Sequence, residues 1–89
     1  MADVFITPTA RKQYEDIPRP IQARMLKLFE RLKKWPNVSG AKPLRGLLAG
    51  RFRMRTGDYR VQFRIEGGQV VIVIIEKIGH RDGFYDENE

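Results

Sequence analysis

Apolar residues recur along this chain in different rhythms, and each rhythm predicts a different element. Between Arg19 and Trp35 they fall at Ile21, Met25, Leu28 and Leu32, the four-three-four spacing of one helical face. Leu26 and Phe29 widen that stripe. Arg24, Lys27, Arg31, Lys33 and Lys34 then cover the outer side, with Pro20 near the start and Pro36 at the end. A shorter helix precedes it in "TPTARKQYEDIP", where Thr7 caps, Pro8 takes the first position and Pro18 stops the run. "DVFI" before it reads as a short strand.

"PNVSGAKPLRGLLAG" is a loop section, rich in glycine and proline. Beyond it the rhythm changes to two, the period of a strand. Strands are predicted over 51–55, 59–66 and 69–78, with "TGDY" and "EGGQ" as their turns. The last of them, "QVVIVIIEKI", is apolar without alternation, which marks a central strand covered by the helices on at least one face. The order predicts an α+β domain of two layers over residues 1–89: a strand, two helices, then an antiparallel β-meander.

Alternation also sorts the hairpin "GRFRMRTGDYRVQFR". Phe52 and Met54 face one side and Arg51, Arg53 and Arg55 the other. Tyr59, Val61, Phe63 and Ile65 join the apolar side; Arg60, Gln62 and Arg64 join the arginines. The turn sets Arg55 opposite Arg60 and Arg51 opposite Arg64. Like charges in that relation destabilise a sheet, and an anion across the face would relieve them. The plain alternative is a solvated face with long side chains splayed apart.

Charge bears on that choice. The chain has 89 residues, 17 Lys plus Arg against 11 Asp plus Glu, and a net charge of +6. Four of the acids lie in 82–89, so residues 1–81 carry 17 basic and 7 acidic side chains, a net of +10. That excess suits a polyanionic partner. Cysteine is absent, which excludes thiol chemistry and a disulfide framework and agrees with a cytoplasmic home. The longest apolar run, Val70 to Ile75, is far short of the roughly 18 residues of a membrane span. "MADVFITP" lacks the build of a signal peptide. With no zinc-type ligand cluster, phosphate-binding loop or nucleophile elbow, neither a metal nor another cofactor is expected.

"GHRDGFYDENE" supplies candidate chemistry. His80 and Arg81 stand just past the predicted end of the central strand, and Tyr85 follows four residues after Arg81. Histidine and tyrosine can move protons, and arginine stabilises phosphate charge. Such a set can cleave RNA, because RNA brings its own nucleophile in the 2′-hydroxyl. A lone histidine is also an ordinary structural residue.

"PLRG", "RFRMRTGDYR", the apolar last strand and "GHRDGFY", in this order, resemble the RelE branch of the RelE/ParE toxin superfamily. The resemblance covers residues 42–85 closely and the strand-helix-helix start loosely. It implies a messenger-RNA endonuclease of a type II toxin–antitoxin system, often acting in the ribosomal decoding site and neutralised by a cognate antitoxin. At the family's site positions this chain has Arg53, Arg55, Arg60, Arg81 and Tyr85. Taken together with the chemistry of the residues themselves, these positions lead to the expectation that Arg60, His80, Arg81 and Tyr85 carry catalysis and that Lys42, Arg45, Arg51, Arg53, Arg55 and Arg64 bind RNA phosphates. Some members have lysine where Arg53 and Arg55 stand. Arginine does not release its proton at working pH, so proton transfer passes to His80 or Tyr85, with His80 favoured. Only four residues follow Tyr85, which leaves no room for the C-terminal helix of some members. Two other readings stay open: a ParE-type toxin that acts on DNA gyrase and is not a nuclease, and a non-catalytic RNA-binding module. The latter would need exposed aromatic platforms, whereas Phe52, Tyr59 and Phe63 fall on the core side.

Overall fold

A computed structural model describes residues 2–82. Tyr85 and the acidic end from Asp86 to Glu89 lie outside the described residues. The chain runs through β1 (Ala2–Ile6), α1 (Pro8–Asp16), α2 (Arg19–Leu32), β2 (Lys42–Pro43), β3 (Arg51–Thr56), β4 (Tyr59–Glu66) and β5 (Val71–His80). A 3-10 turn at Gly46–Leu48 separates β2 from β3.

Five strands form one sheet in the order β1-β5-β4-β3-β2. The meander β3-β4-β5 is antiparallel, as the sequence implies, while β1 lies parallel to β5 and makes the sheet mixed. Both helices pack on one face. Met25, Leu28, Phe29 and Leu32 of α2 meet Met54, Val61, Phe63, Val73, Ile75 and Ile78 of the sheet in one core. Burying each such side chain is worth roughly 1.5–3 kcal/mol, and this stabilises the layer pairing.

Local signals explain the helix ends. Thr7 caps α1 by accepting a hydrogen bond from the Ala10 N–H at 3.1 Å. Helix α2 stops at Leu32, three residues before the predicted end, and a turn carries the chain to Trp35. Trp35 then packs edge-on against Phe52 and Phe63, at centroid distances of 4.9 and 5.6 Å. A helix continued to residue 35 would point that ring elsewhere. Leu26, expected on the buried stripe, is exposed; Phe29 is buried.

The loop section contains a strand that its sequence hides. Lys42 and Pro43 pair with Arg53 and Phe52, and the Leu44 N–H donates to the Arg51 carbonyl at 2.9 Å. Proline fits there because β2 is an edge strand. Strand β5 begins at Val71 and runs to His80, so His80 is its last residue and not a residue beyond it.

Candidate nucleic-acid interface and active site

The arginine face is built by register. Gly57, at φ +60°, makes the tight β3–β4 turn with Asp58, and Thr56 pairs with Tyr59. From that rung the strands align Arg55 with Arg60, Met54 with Val61, Arg53 with Gln62 and Arg51 with Arg64. Met54, Val61 and Phe63 are buried under the helices, so the arginines take the other face of the sheet.

The two opposed arginine pairs have different surroundings. At one end Glu76 sits between Arg51 and Arg64. Its Oε1 accepts from Arg51 Nε at 2.8 Å and from Gln62 Nε2 at 3.1 Å, and its Oε2 accepts from Arg64 Nε at 3.0 Å. A β-bulge makes this possible. Gln62 pairs with Lys77 and Phe63 with Ile75, so Glu76 is the extra residue of β5. Ile75 and Ile78 are thereby both buried, while Glu76 turns to the arginine face. Gln62 is buried beneath this cluster, only 7% exposed. Arg64 also donates to Glu66. That bond above all, aided by Glu76 and opposed by desolvation, pushes the Arg64 guanidinium above its ordinary value. The anion that the sequence leaves unassigned is, for this pair, a side chain of the protein itself.

At the other end three of the candidate catalytic positions, Arg60, His80 and Arg81, come together at the last rungs of the sheet. Arg60 lies opposite Gly79 and Tyr59 opposite His80. The Arg81 N–H donates to the Asp58 carbonyl at 2.7 Å, which holds the residue after β5 against the hairpin turn. The Arg81 guanidinium stays 59% exposed, with Asp58 and Asp82 carboxylate oxygens each 3.9 Å away. His80 meets Tyr59 edge-on at 5.2 Å. Its Nδ1 accepts the Asp82 N–H at 3.1 Å, which assigns the neutral ring an Nε2–H. Tyr59 packs against the helix-side core, so the His80 ring leans to that side while Arg55 and Arg60 arise on the other. The two sets meet only at the sheet's end. Arg81, the next residue, bridges between them in the chain.

The remaining expected phosphate ligands line the β3 edge. Lys42, Arg53 and Arg55 border an open cavity of about 230 Å³ together with Arg31 of α2. Lys42, Arg45 and Arg53 border a second beside β2. Among the described residues no carboxylate pairs with Lys42, Arg45 or Arg55. Sequence reasoning missed Glu76 and Arg31. Glu76 has a sequence signal, an acid that interrupts an apolar strand run; Arg31 looks like any cation on a solvated helix face.

A family model described as "ParE toxin of type II toxin-antitoxin system, parDE" matches residues 4–83. The chain belongs to the ParE toxin family. It is a type II toxin–antitoxin toxin of the RelE/ParE kind. Toxin RelG of Mycobacterium tuberculosis is 37% identical over 83 residues, covering 92% of this chain and 93% of the relative. Toxin RelE of the same organism is 37% identical over 86 residues, covering 96% and 87%. Among solved structures, the toxin–antitoxin complex RelBE2 of M. tuberculosis matches with a TM-score of 0.79 at 36% identity, covering 90% of this chain and 91% of that one. The isolated E. coli RelE toxin shares the fold, with a TM-score of 0.74 at 16% identity over 90% of this chain and 84% of that one. No helix among the described residues is long and apolar enough to cross a membrane.

Proposed function

We propose that this toxin is a RelE-like endoribonuclease that cleaves messenger RNA, in the ribosome, through attack of the 2′-hydroxyl. The observation that carries the reading is the convergence of Arg55, Arg60, His80 and Arg81 on the last rungs of one sheet end. The scissile phosphate lies over that end. Arg60 and Arg81 hold its non-bridging oxygens and stabilise the charge that builds on phosphorus. The 2′-hydroxyl gives up its proton and attacks the adjacent phosphorus. The bond to the 5′-oxygen breaks, and that oxygen takes a proton. The products are a 2′,3′-cyclic phosphate and a 5′-hydroxyl.

His80 and Tyr85 are the proton carriers of this scheme. With Nδ1 engaged by the Asp82 N–H, His80 presents a donor at Nε2 in its neutral form. It acts as the base once the Asp82 contact opens. When Nδ1 carries the proton, its N–H faces the Asp82 carboxylate, 3.5 Å away, which balances the charge of the ring. Arg53, Lys42 and Arg45 bind flanking phosphates. Arg51 and Arg64, joined through Glu76, frame the sheet and contribute less to the substrate.

The partner that restrains the toxin is a cognate antitoxin, which is the arrangement in the RelBE2 complex. The family model's description names the ParE type, and the other reading is a ParE-type toxin that acts on gyrase without cutting RNA. Induced expression followed by mapping of messenger-RNA ends separates the two. New ends within coding regions support the nuclease; intact messages with damaged DNA support the gyrase reading.

A further inference from the structure

The cavity at the β3 edge adjoins the arginine face and shares Arg53 and Arg55 with it. It opens where β2 stops, between the sheet edge and α2, and Arg31 closes its far side. Arg31 is held there by the chain: its Nη2 donates to the Ser39 carbonyl at 2.8 Å, beside Gly40 at φ +91°. That contact uses one guanidinium nitrogen and leaves other donors for a ligand. Two turns earlier on the same side of α2, Arg24 reaches the hairpin turn; a Cβ on Gly57 would lie 3.3 Å from its Nη1. Arg24 and Arg31 are thus roughly 10 Å apart along the helix axis. Of the two, Arg31 borders the groove, together with Arg55, Arg53 and Lys42, and among the described residues no acidic side chain lines it.

We infer that this groove is a second nucleic-acid subsite, which binds the phosphodiester backbone of single-stranded RNA where it leaves the cleavage site and turns around the sheet edge. The inference rests on the nuclease reading, because Arg53 and Arg55 belong to both surfaces and make the path continuous. Four cations, Arg31, Lys42, Arg53 and Arg55, border the one groove and suit a chain of phosphates one after another more than a single anion. Arg31 supplies planar, bidentate recognition from a rigid helix, and Lys42 a point charge from the edge strand.

The test uses the full chain and RNA made uncleavable by 2′-O-methylation. Two glycine amides serve as NMR reporters: Gly79, opposite Arg60, for the arginine face, and Gly40 for the groove. A 12-mer is expected to shift both signals, and a trinucleotide only that of Gly79. The double variant Arg31→Gln, Lys42→Gln is expected to bind the 12-mer about 10-fold more weakly. Its salt slope should fall by about 1.4, for two lost contacts to a single strand. Circular dichroism confirms that it folds, and Arg31→Lys should recover part of the affinity. If Gly79 shifts, Gly40 does not and the double variant binds like the wild type, the groove is overturned and the nuclease reading stands. If neither glycine responds to free RNA, the groove falls as an RNA subsite, and the mapping of messenger-RNA ends decides the nuclease reading separately. If polyglutamate moves Gly40 and RNA does not, the groove serves an acidic protein segment and the RNA subsite is wrong.

Discussion

Glu76 accepts a hydrogen bond from Arg51 across an intervening strand: 2.8 Å separates Oε1 on β5 from Nε on β3, with Gln62 of β4 beneath. Arg64 completes the cluster from the same middle strand. One carboxylate therefore lies between the two guanidiniums of the Arg51–Arg64 pair and offsets part of their charge.

Removing that carboxylate leaves two guanidiniums opposed on adjacent strands. Glu76→Gln is expected to lower the thermal midpoint, and Glu76→Lys to lower it further. High salt should narrow the difference between them by screening the repulsion. Equal midpoints for wild type and Glu76→Lys in low salt would show that the cluster contributes nothing.

Arg60 and Arg81 should matter to activity more than Arg51 and Arg64. A charge-assisted contact to phosphate is worth roughly 1.5–3 kcal/mol, about 10- to 150-fold in rate. Arg60→Ala and Arg81→Ala should relieve growth arrest while the protein still folds; Arg51→Ala should cost stability first. Full toxicity in Arg81→Ala would remove that residue from the site.

Much of this arrangement is legible in the sequence. The Arg55–Arg60 register follows from a short glycine turn and strict alternation, and the core face of α2 from its spacing. Glu76 stands out as an acid in an apolar run, but the bulge that turns it to the arginine face is not legible. A bulge shifts the period of two by one residue without any change of residue type, and "IIEKI" reads equally well without it. β2 escapes because two residues, one of them proline, carry no strand pattern. The lean of His80 toward the helix side depends on that same bulge. An unbulged β5 would reverse the side its last residues take.

Phe63 is fully buried between Trp35, Phe52 and the helices. Phe63→Ala should cost about 3–5 kcal/mol, measured by urea denaturation. A loss below 1 kcal/mol would mean that the aromatic cluster is not the centre of the core.

Antitoxin association should be fast and steered by charge, since residues 1–81 carry a net of +10. Stopped-flow association rates should fall steeply between low and high salt. A rate independent of salt would point to a contact on the apolar surfaces instead.

His80→Ala and Tyr85→Phe should each slow single-turnover cleavage by about 10²–10⁴-fold, the usual worth of acid–base help. Ribosome or RNA affinity should change little, because the arginines supply most of the attraction. A loss of affinity equal to the loss of rate would make His80 a binding residue.

The most direct test of the central claim is single-turnover cleavage of a message with one deoxyribose at the scissile nucleotide, beside the same message with ribose throughout. Removal of the 2′-hydroxyl takes away the nucleophile and leaves the phosphates in place. The account predicts that both messages bind with similar affinity, that the ribose message is cut to a 2′,3′-cyclic phosphate, and that the deoxy message stays intact. Cleavage of the deoxy message at the normal rate would contradict it.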